Sequence, residues 1–124
     1  MDRALVLFAH GARDPEWALP IRRVQAAVAA QAPGLQVEAA FLEFMAPTLP
    51  ECIAQLAGTG VRHIVVLPMF IAQGGHLRRD VPLLLNDLRR EHPGIDLELA
   101  PAVGENEAVI QAMARAAVAL CGHS

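Results

Sequence analysis

The stretch Ala4-Leu5-Val6-Leu7-Phe8-Ala9-His10-Gly11-Ala12-Arg13-Asp14 decides the fold class of this 124-residue chain. Its first six residues are all apolar, which is typical of a strand buried on both faces of a parallel sheet. The run then gives way at once to histidine, glycine and charged residues. A histidine directly after such a strand is expected at the carboxyl edge of the sheet, where open α/β folds build their binding sites.

Similar apolar runs recur along the chain and alternate with helical segments. We predict two further strands buried on both faces, Val37 to Phe41 and His63 to Leu67, and a weaker fourth strand from Ile95 to Ala100. The order β-α-β-α-β-α-β-α implies right-handed crossovers between parallel strands. The sequence therefore predicts one three-layer α/β domain over residues 1–124, with a mainly parallel four-stranded sheet flanked by helices on both faces.

Capping residues indicate where the first two helices begin. Asp14 before Pro15 is a good N-cap, although Pro20 is expected to kink or delay the helix that follows. Thr48 and Glu51 have the spacing of a capping box, which predicts the start of the second helix.

The third and fourth helices are less sharply marked. Because proline is tolerated in a first helical turn, Pro82 favours Asp80 as the N-cap of the third helix and leaves Pro68 to Arg79 as a long loop. The last helix is expected from about Glu105 to Leu120. Its inward-facing residues would be Val109, Ile110 and Met113.

Composition excludes several classes of function. The net charge of −3 gives no basic field that would bind nucleic acid. The apolar run Ala4 to Ala9 is too short for a signal peptide or a membrane span, and this predicts a cytoplasmic protein. All ten cationic residues are Arg, so neither a P-loop lysine nor Schiff-base chemistry is available. The single Ser is Ser124, which excludes a serine hydrolase. Cys52 and Cys121 are expected to be reduced and buried in separate helices.

Three metal-competent side chains follow three predicted strands. His10 follows the first, Glu43 follows the second in Phe41-Leu42-Glu43-Phe44, and His76 comes after the third, beside Gly74-Gly75. The loops at the carboxyl ends of parallel strands converge, so these side chains are expected at one edge of the sheet. Two imidazoles and one carboxylate suit a divalent ion such as Co²⁺, Ni²⁺, Fe²⁺ or Zn²⁺, and three protein ligands leave positions open for a substrate.

Each candidate also has an ordinary structural interpretation. A histidine in a loop often hydrogen-bonds the nearby backbone, and Glu43, beside Leu42 and Phe44, is either a solvent-facing residue or an acid in an apolar rim. The remaining histidines are interpreted as a strand start, a helix end and a tail residue, namely His63, His92 and His123.

Arginines and glycines surround the two candidate histidines. Arg13, Arg78 and Arg79 would attract a polycarboxylate if they share the cleft, and otherwise they are solvated loop charges. The pair Gly74-Gly75 is either a simple turn or part of a cradle for an anion. Since the chain has no GxGxxG or GxxxxGK pattern, nucleotide binding is not predicted.

Three blocks of sequence together resemble one family. Ala9-His10-Gly11-Ala12-Arg13-Asp14-Pro15, Phe41-Leu42-Glu43-Phe44 with Pro47, and Pro68-Met69-Phe70 through Gly74-Gly75-His76 to Asp80-Val81-Pro82 are similar to the CbiX-type sirohydrochlorin chelatases. These are class II tetrapyrrole chelatases, which do not use ATP. The resemblance implies that a divalent metal, cobalt first and iron or nickel as alternatives, is inserted into sirohydrochlorin on the cobalamin or sirohaem route.

The resemblance also assigns roles to the candidate residues. His10 and His76 would be the metal-binding and proton-accepting histidines, and Glu43 the acidic partner at the metal. The acetate and propionate groups of the ring would give Arg13 and the arginines at 78 and 79 something to bind. A non-catalytic module that binds a metal or a tetrapyrrole for delivery would use the same residues and remains the alternative.

The size of the chain leads to a prediction about assembly. Many chelatases of this superfamily hold two such α/β units with the macrocycle between them, whereas this sequence supplies one. A single unit offers half a cleft. We therefore expect a homodimer with an isologous interface, in which the carboxyl-end faces of two copies enclose the tetrapyrrole.

Overall fold

The computed structural model describes residues 2–122 as four strands and four helices in strict alternation. Two short 3₁₀ turns, Pro15–Ala18 and Val103–Glu105, precede the first and last helices. The elements are β1 (Arg3–Ala9), α1 (Leu19–Gln31), β2 (Gln36–Phe41), α2 (Leu49–Gly58), β3 (His63–Pro68), α3 (Gly75–Glu91), β4 (Asp96–Leu99) and α4 (Glu107–Leu120).

All four strands are parallel and lie in the order β2-β1-β3-β4. The predicted fold class is therefore confirmed. Since β1 is flanked by β2 and β3, the loops that leave these three strands emerge side by side at the carboxyl edge of the sheet. This topology is what brings sequence-distant residues to one site.

Helices α2 and α3 cover one face of the sheet and form the main core. Val6 and Phe8 of β1, with Ile64 and Val66 of β3, are buried against these two helices. The predicted capping box at the start of α2 is present: the Thr48 hydroxyl accepts from the Glu51 amide, and the Glu51 carboxylate accepts from the Thr48 amide at 2.8 Å. Hydrogen bonding of the Glu51 carboxylate to Thr48, first by the backbone amide and then by the hydroxyl, holds the pKa of Glu51 below its ordinary value of 4.5.

The opposite face of the sheet is covered only in part. Helix α1 packs over β1 and β2, where Ile21 contacts a small core that includes Ala39 and Phe41. Val65 and Leu67 of β3 point to this same face and remain partly exposed. The prediction that β3 is buried on both faces is therefore wrong, because within residues 2–122 no helix covers its second face as α1 covers β1 and β2.

The start of α1 follows the prediction. Asp14 caps a 3₁₀ turn by accepting from the Glu16 amide at 3.0 Å, and the α-helix itself is delayed to Leu19, with Pro20 in its first turn.

Helix α3 begins earlier than predicted. Gly74 is its N-cap and Pro82 lies in its interior, so Asp80 is not the cap and the preceding loop spans only residues 69–74. Leu77 extends the apolar stripe of Val81, Leu85 and Leu88 by one turn and packs against the core. We attribute the early start to this burial, which offsets the lost backbone hydrogen bond of an exposed Pro82.

Helix α4 also differs from the prediction. It begins at Glu107, and Ile110 and Met113, expected to face inward, are exposed. None of its 14 residues is buried, and its main contact is with the 3₁₀ turn Val103–Glu105. Within residues 2–122, none of the helices combines the length and the hydropathy that a membrane span needs.

The two cysteines are free thiols in different environments. Cys52 is buried in α2, as expected, and burial raises the pKa of its thiol to about 11. Cys121 is exposed at the end of α4, so the expectation that it is buried is wrong. The reason is that α4 does not pack on the sheet.

Gly11 lets the loops after β1 and β2 cross at close range. Its φ is +95°, and a Cβ added there would overlap the backbone carbonyl oxygen of Glu43. Only glycine combines this backbone conformation with this close approach.

We expect Gly11→Ala to lower the free energy of unfolding by about 1–3 kcal/mol, because it adds left-handed strain and a backbone overlap. Urea denaturation followed by circular dichroism measures the effect. Gly58→Ala is the matched control: its φ is not positive and its added Cβ meets nothing within 4 Å, so stability should be unchanged or rise slightly. An equal free energy of unfolding for Gly11→Ala and Gly58→Ala would contradict the close approach of the two loops at Gly11.

Candidate functional site

His10 and Glu43 are brought together by the parallel pairing of β1 and β2. The strands end at the paired residues Ala9 and Phe41, and hydrogen bonding continues past them. The Leu42 amide donates to the Ala9 carbonyl at 2.9 Å, and the Glu43 amide donates to the His10 carbonyl at 3.1 Å. Residues 33 positions apart are thus held side by side by the backbone itself.

The two side chains make a direct polar contact. His10 Nε2 lies 3.1 Å from Glu43 Oε1, and the side chains are 47% and 50% exposed, respectively. Of the two interpretations left open for Glu43, the structure shows a solvent-accessible acid whose partner is an imidazole. Both side chains remain accessible to a ligand from solution.

This pair can hold a cation or accept a proton. If the carboxylate accepts from Nε2–H, Nδ1 carries the free lone pair, and it makes no hydrogen bond within residues 2–122. The neighbouring carboxylate also orients the ring. The arrangement therefore suits a histidine that binds a metal ion or removes a proton from a substrate.

His76 occupies a different kind of position from the one predicted. It is an exposed residue in the first turn of α3 rather than part of a long loop. Among residues 2–122, no three His, Cys, Asp or Glu side chains are close enough to hold a metal ion together. The structure joins His10 with Glu43 and leaves His76 on the loop-to-helix junction that follows the adjacent β3.

Gly74-Gly75 begins a helix rather than a simple turn. Within residues 2–122, no side chain caps this N-terminus, and no acidic residue stands in its first turn, so its amides and helix dipole favour an anion. Arg78 and Arg79 follow one turn later and are exposed. This segment has the chemistry for a carboxylate.

Arg13 and Phe44 add a third feature beside the His10–Glu43 pair. The Arg13 guanidinium carbon lies 4.8 Å from the centre of the Phe44 ring, and Phe44 has a φ of +68°. Phe44 is not among the residues that the sequence pattern indicates as part of a site. Its position next to Glu43 was the only available signal, because sequence does not reveal a left-handed backbone at a residue other than glycine.

The other histidines lie away from this site. His63 starts β3 at the opposite edge of the sheet, 3.5 Å from an Asp96 oxygen and 3.9 Å from an Asp2 oxygen. His92 is the C-cap of α3, as expected for a helix end. His123 lies outside the described residues.

Both the sequence and the fold are similar to those of known proteins. The model of the CbiX family matches residues 4–119. The chain is 36% identical over 111 residues to the sirohydrochlorin cobaltochelatase of Saccharolobus solfataricus, covering 85% of each chain. It is 37% identical over 82 residues to that of Methanopyrus kandleri, covering 66% of this chain and 57% of the relative.

A solved structure shares this fold over nearly the whole chain. A cobalamin (vitamin B12) biosynthesis CbiX protein from Marinobacter aquaeolei VT8 superimposes with a TM-score of 0.83 at 28% identity, covering 98% of this chain and 99% of that one. The matched segments span only 57% to 62% of several methanogen relatives. Sequence and fold agree over almost the whole length of residues 4–119, and the chain therefore belongs to the CbiX family.

Proposed function

We propose that this protein inserts a divalent metal ion into sirohydrochlorin without ATP. The observation that carries the proposal is the His10–Glu43 contact of 3.1 Å at the exposed carboxyl edge of the sheet. The relatives' name, sirohydrochlorin cobaltochelatase, supports the substrate and favours Co²⁺, with Fe²⁺ and Ni²⁺ as alternatives. The donor set of imidazole and carboxylate accepts all three ions.

Metal insertion requires a ligand for the metal ion and an acceptor for the pyrrole protons, and the pair of His10 and Glu43 can supply both. Two pyrrole protons must leave the macrocycle while the metal exchanges its ligands for ring nitrogens. We assign His10 as metal ligand and proton acceptor and Glu43 as the acid that orients its ring and stabilises the imidazolium. His76 is assigned as a second ligand or proton acceptor on the adjacent loop-to-helix junction.

The charges around the pair suit a polycarboxylate ring. The acetates and propionates of sirohydrochlorin would bind Arg13, Arg78 and Arg79, and the free amides of Gly74 and Gly75. A module that binds the metal or the tetrapyrrole for delivery would use the same contacts. It differs in that no ring protons would be removed.

We expect His10→Ala and His76→Ala each to reduce metal insertion about a hundredfold or more, because each removes a proton acceptor or ligand. Anaerobic assays follow the absorption spectrum of sirohydrochlorin with Co²⁺, Fe²⁺ or Ni²⁺. Glu43→Gln keeps the shape of the side chain and should also slow the reaction. The control is His63→Ala, which disrupts the contacts of an equally exposed histidine with Asp2 and Asp96 at the opposite edge.

The outcomes separate the candidate functions. Insertion by the unmodified protein that is lost at positions 10 and 76 but kept in His63→Ala supports the chelatase. Tight binding of metal or ring without any rate enhancement supports the delivery module. Full turnover in both His10→Ala and His76→Ala would contradict the assigned roles.

We further propose that the protein is a homodimer, on the basis of helix α4. A helix that is apolar on most of its surface is normally buried, yet here Leu120 is 89% exposed. Spacings of four and seven residues place Val109, Met113 and Leu120 on one side of the helix. The polar residues Glu107, Gln111 and Arg115 lie on the other.

The sheet offers a complementary surface. Leu5, Val65 and Leu67 are partly exposed on the face that α1 leaves open, and a shallow cleft of about 260 Å³ lies along Leu5 and Val65. Parallel sheets are almost always covered on both faces. With 14 residues, α4 is about 21 Å long, close to the roughly 20 Å of the six-residue β3. The similar lengths of α4 and β3 support exchange of α4 between two copies of the chain.

We expect light scattering to give about twice the chain mass of 13.3 kDa, and Met113→Glu to give a monomer, because a carboxylate would be buried at the interface. Ala108→Glu adds the same charge on the polar side of α4, in a first turn that favours acids, and should leave the dimer intact. A monomeric unmodified protein would contradict the homodimer. The prediction that the carboxyl edges of two copies face each other across the tetrapyrrole is independent of this exchange of α4.

A further inference from the structure

Phe44 is held in an unfavourable conformation at the edge of the candidate site. Its φ of +68° belongs to the left-handed region, which bulky side chains avoid. Burial of the ring does not offset this strain, since Phe44 is 56% exposed. Backbone strain at an exposed aromatic residue next to Glu43 indicates a role other than packing.

The partner of the Phe44 ring is Arg13, on the loop after β1. The guanidinium carbon lies 4.8 Å from the ring centre, a cation–π contact. Arg13 is exposed, and within residues 2–122 it makes no hydrogen bond or ion pair to the protein. Its N–H donors are therefore free to bind a ligand.

A second stacked arginine shows what a structural contact of this kind looks like here. The Arg22 guanidinium carbon lies 5.4 Å from the centre of the Phe41 ring. That ring is buried in the core, and Arg22 also donates to Gln25 at 3.4 Å. In the part of the chain that the structure describes, the pair of Arg13 and Phe44 has neither a buried ring nor a protein acceptor.

We propose that Phe44 is a positioning residue, whose ring holds Arg13 beside His10 and Glu43 so that the guanidinium binds a peripheral carboxylate of the tetrapyrrole. The inference rests on the proposed function and deepens it. An arginine has many rotamers, and restricting them before binding reduces the entropy lost when the carboxylate is bound. Because the carboxylate is far from the bonds that change, the effect falls on substrate affinity rather than on turnover.

Steady-state kinetics of metal insertion, with Kd for the metal-free ring measured by absorption titration, test this role. Arg13→Gln should raise KM and Kd about tenfold or more, since a charge-assisted hydrogen bond is lost. Phe44→Gly should raise both about two- to fivefold, the value of an exposed cation–π contact, with kcat nearly unchanged. Phe44→Trp keeps an aromatic face and should restore affinity. Arg22→Gln is the matched control and should change neither constant.

Two further readouts exclude a merely structural role. Phe44→Gly should raise Tm, because glycine adopts a positive φ without strain, while it weakens substrate binding. In the Arg13→Gln background, Phe44→Gly should have no further effect on KM, because Phe44 acts through Arg13. Additive effects of the two substitutions, or unchanged KM and Kd in Phe44→Gly, would overturn the inference.

The result also separates this inference from the proposed function. Protein that inserts metal normally while Phe44→Gly behaves like the unmodified chain overturns only the role of Phe44. Protein that binds the ring without inserting metal contradicts the chelatase, and the Kd values still decide the role of Phe44. Protein that neither binds sirohydrochlorin nor inserts metal contradicts both.

Discussion

The parallel hydrogen bonding between β1 and β2 is the constraint on which the candidate site depends. It continues beyond the last paired strand residues, so that the amide of Glu43 donates to the carbonyl of His10. These backbone hydrogen bonds fix the two loops relative to each other without any contribution from side-chain contacts. The 3.1 Å approach of the imidazole to the carboxylate follows from it, as does the need for glycine at position 11.

The same edge combines rigid support with exposed chemistry. Strands β1 and β3 are anchored in a core where Val6, Phe8 and Val66 are fully buried, whereas His10 and Glu43 are half exposed. A rigid sheet that presents an imidazole and a carboxylate to solvent fixes their relative position and leaves both open to a ligand. Cys52 illustrates the opposite case: its burial raises the pKa of the thiol to about 11 and removes it from nucleophilic chemistry.

One face of the sheet is only partly covered by helices, and this is the feature of the fold on which the proposed homodimer rests. Helix α1 packs over β1 and β2 on its face, and α4, which follows β4, makes its main contact with the 3₁₀ turn Val103–Glu105 and leaves an apolar side unburied. One chain therefore carries both an uncovered surface and a helix of matching length and polarity. Exchange between two copies would bury both at once, and the free energy would come from apolar area that the monomer leaves in water.

The sequence by itself determined the alternation of strands and helices, the capping box of Thr48 and Glu51, and the resemblance to the CbiX family, because these depend on local spacing and on residue type. It also placed His10 and Glu43 after the first and second strands of the chain. The tertiary structure alone decided the early start of α3, the exposure of α4 and the outward position of Phe44. These features depend on which surfaces meet: a stripe extended by Leu77 outweighs an internal proline, and a helix whose main contact is a short 3₁₀ turn stays exposed.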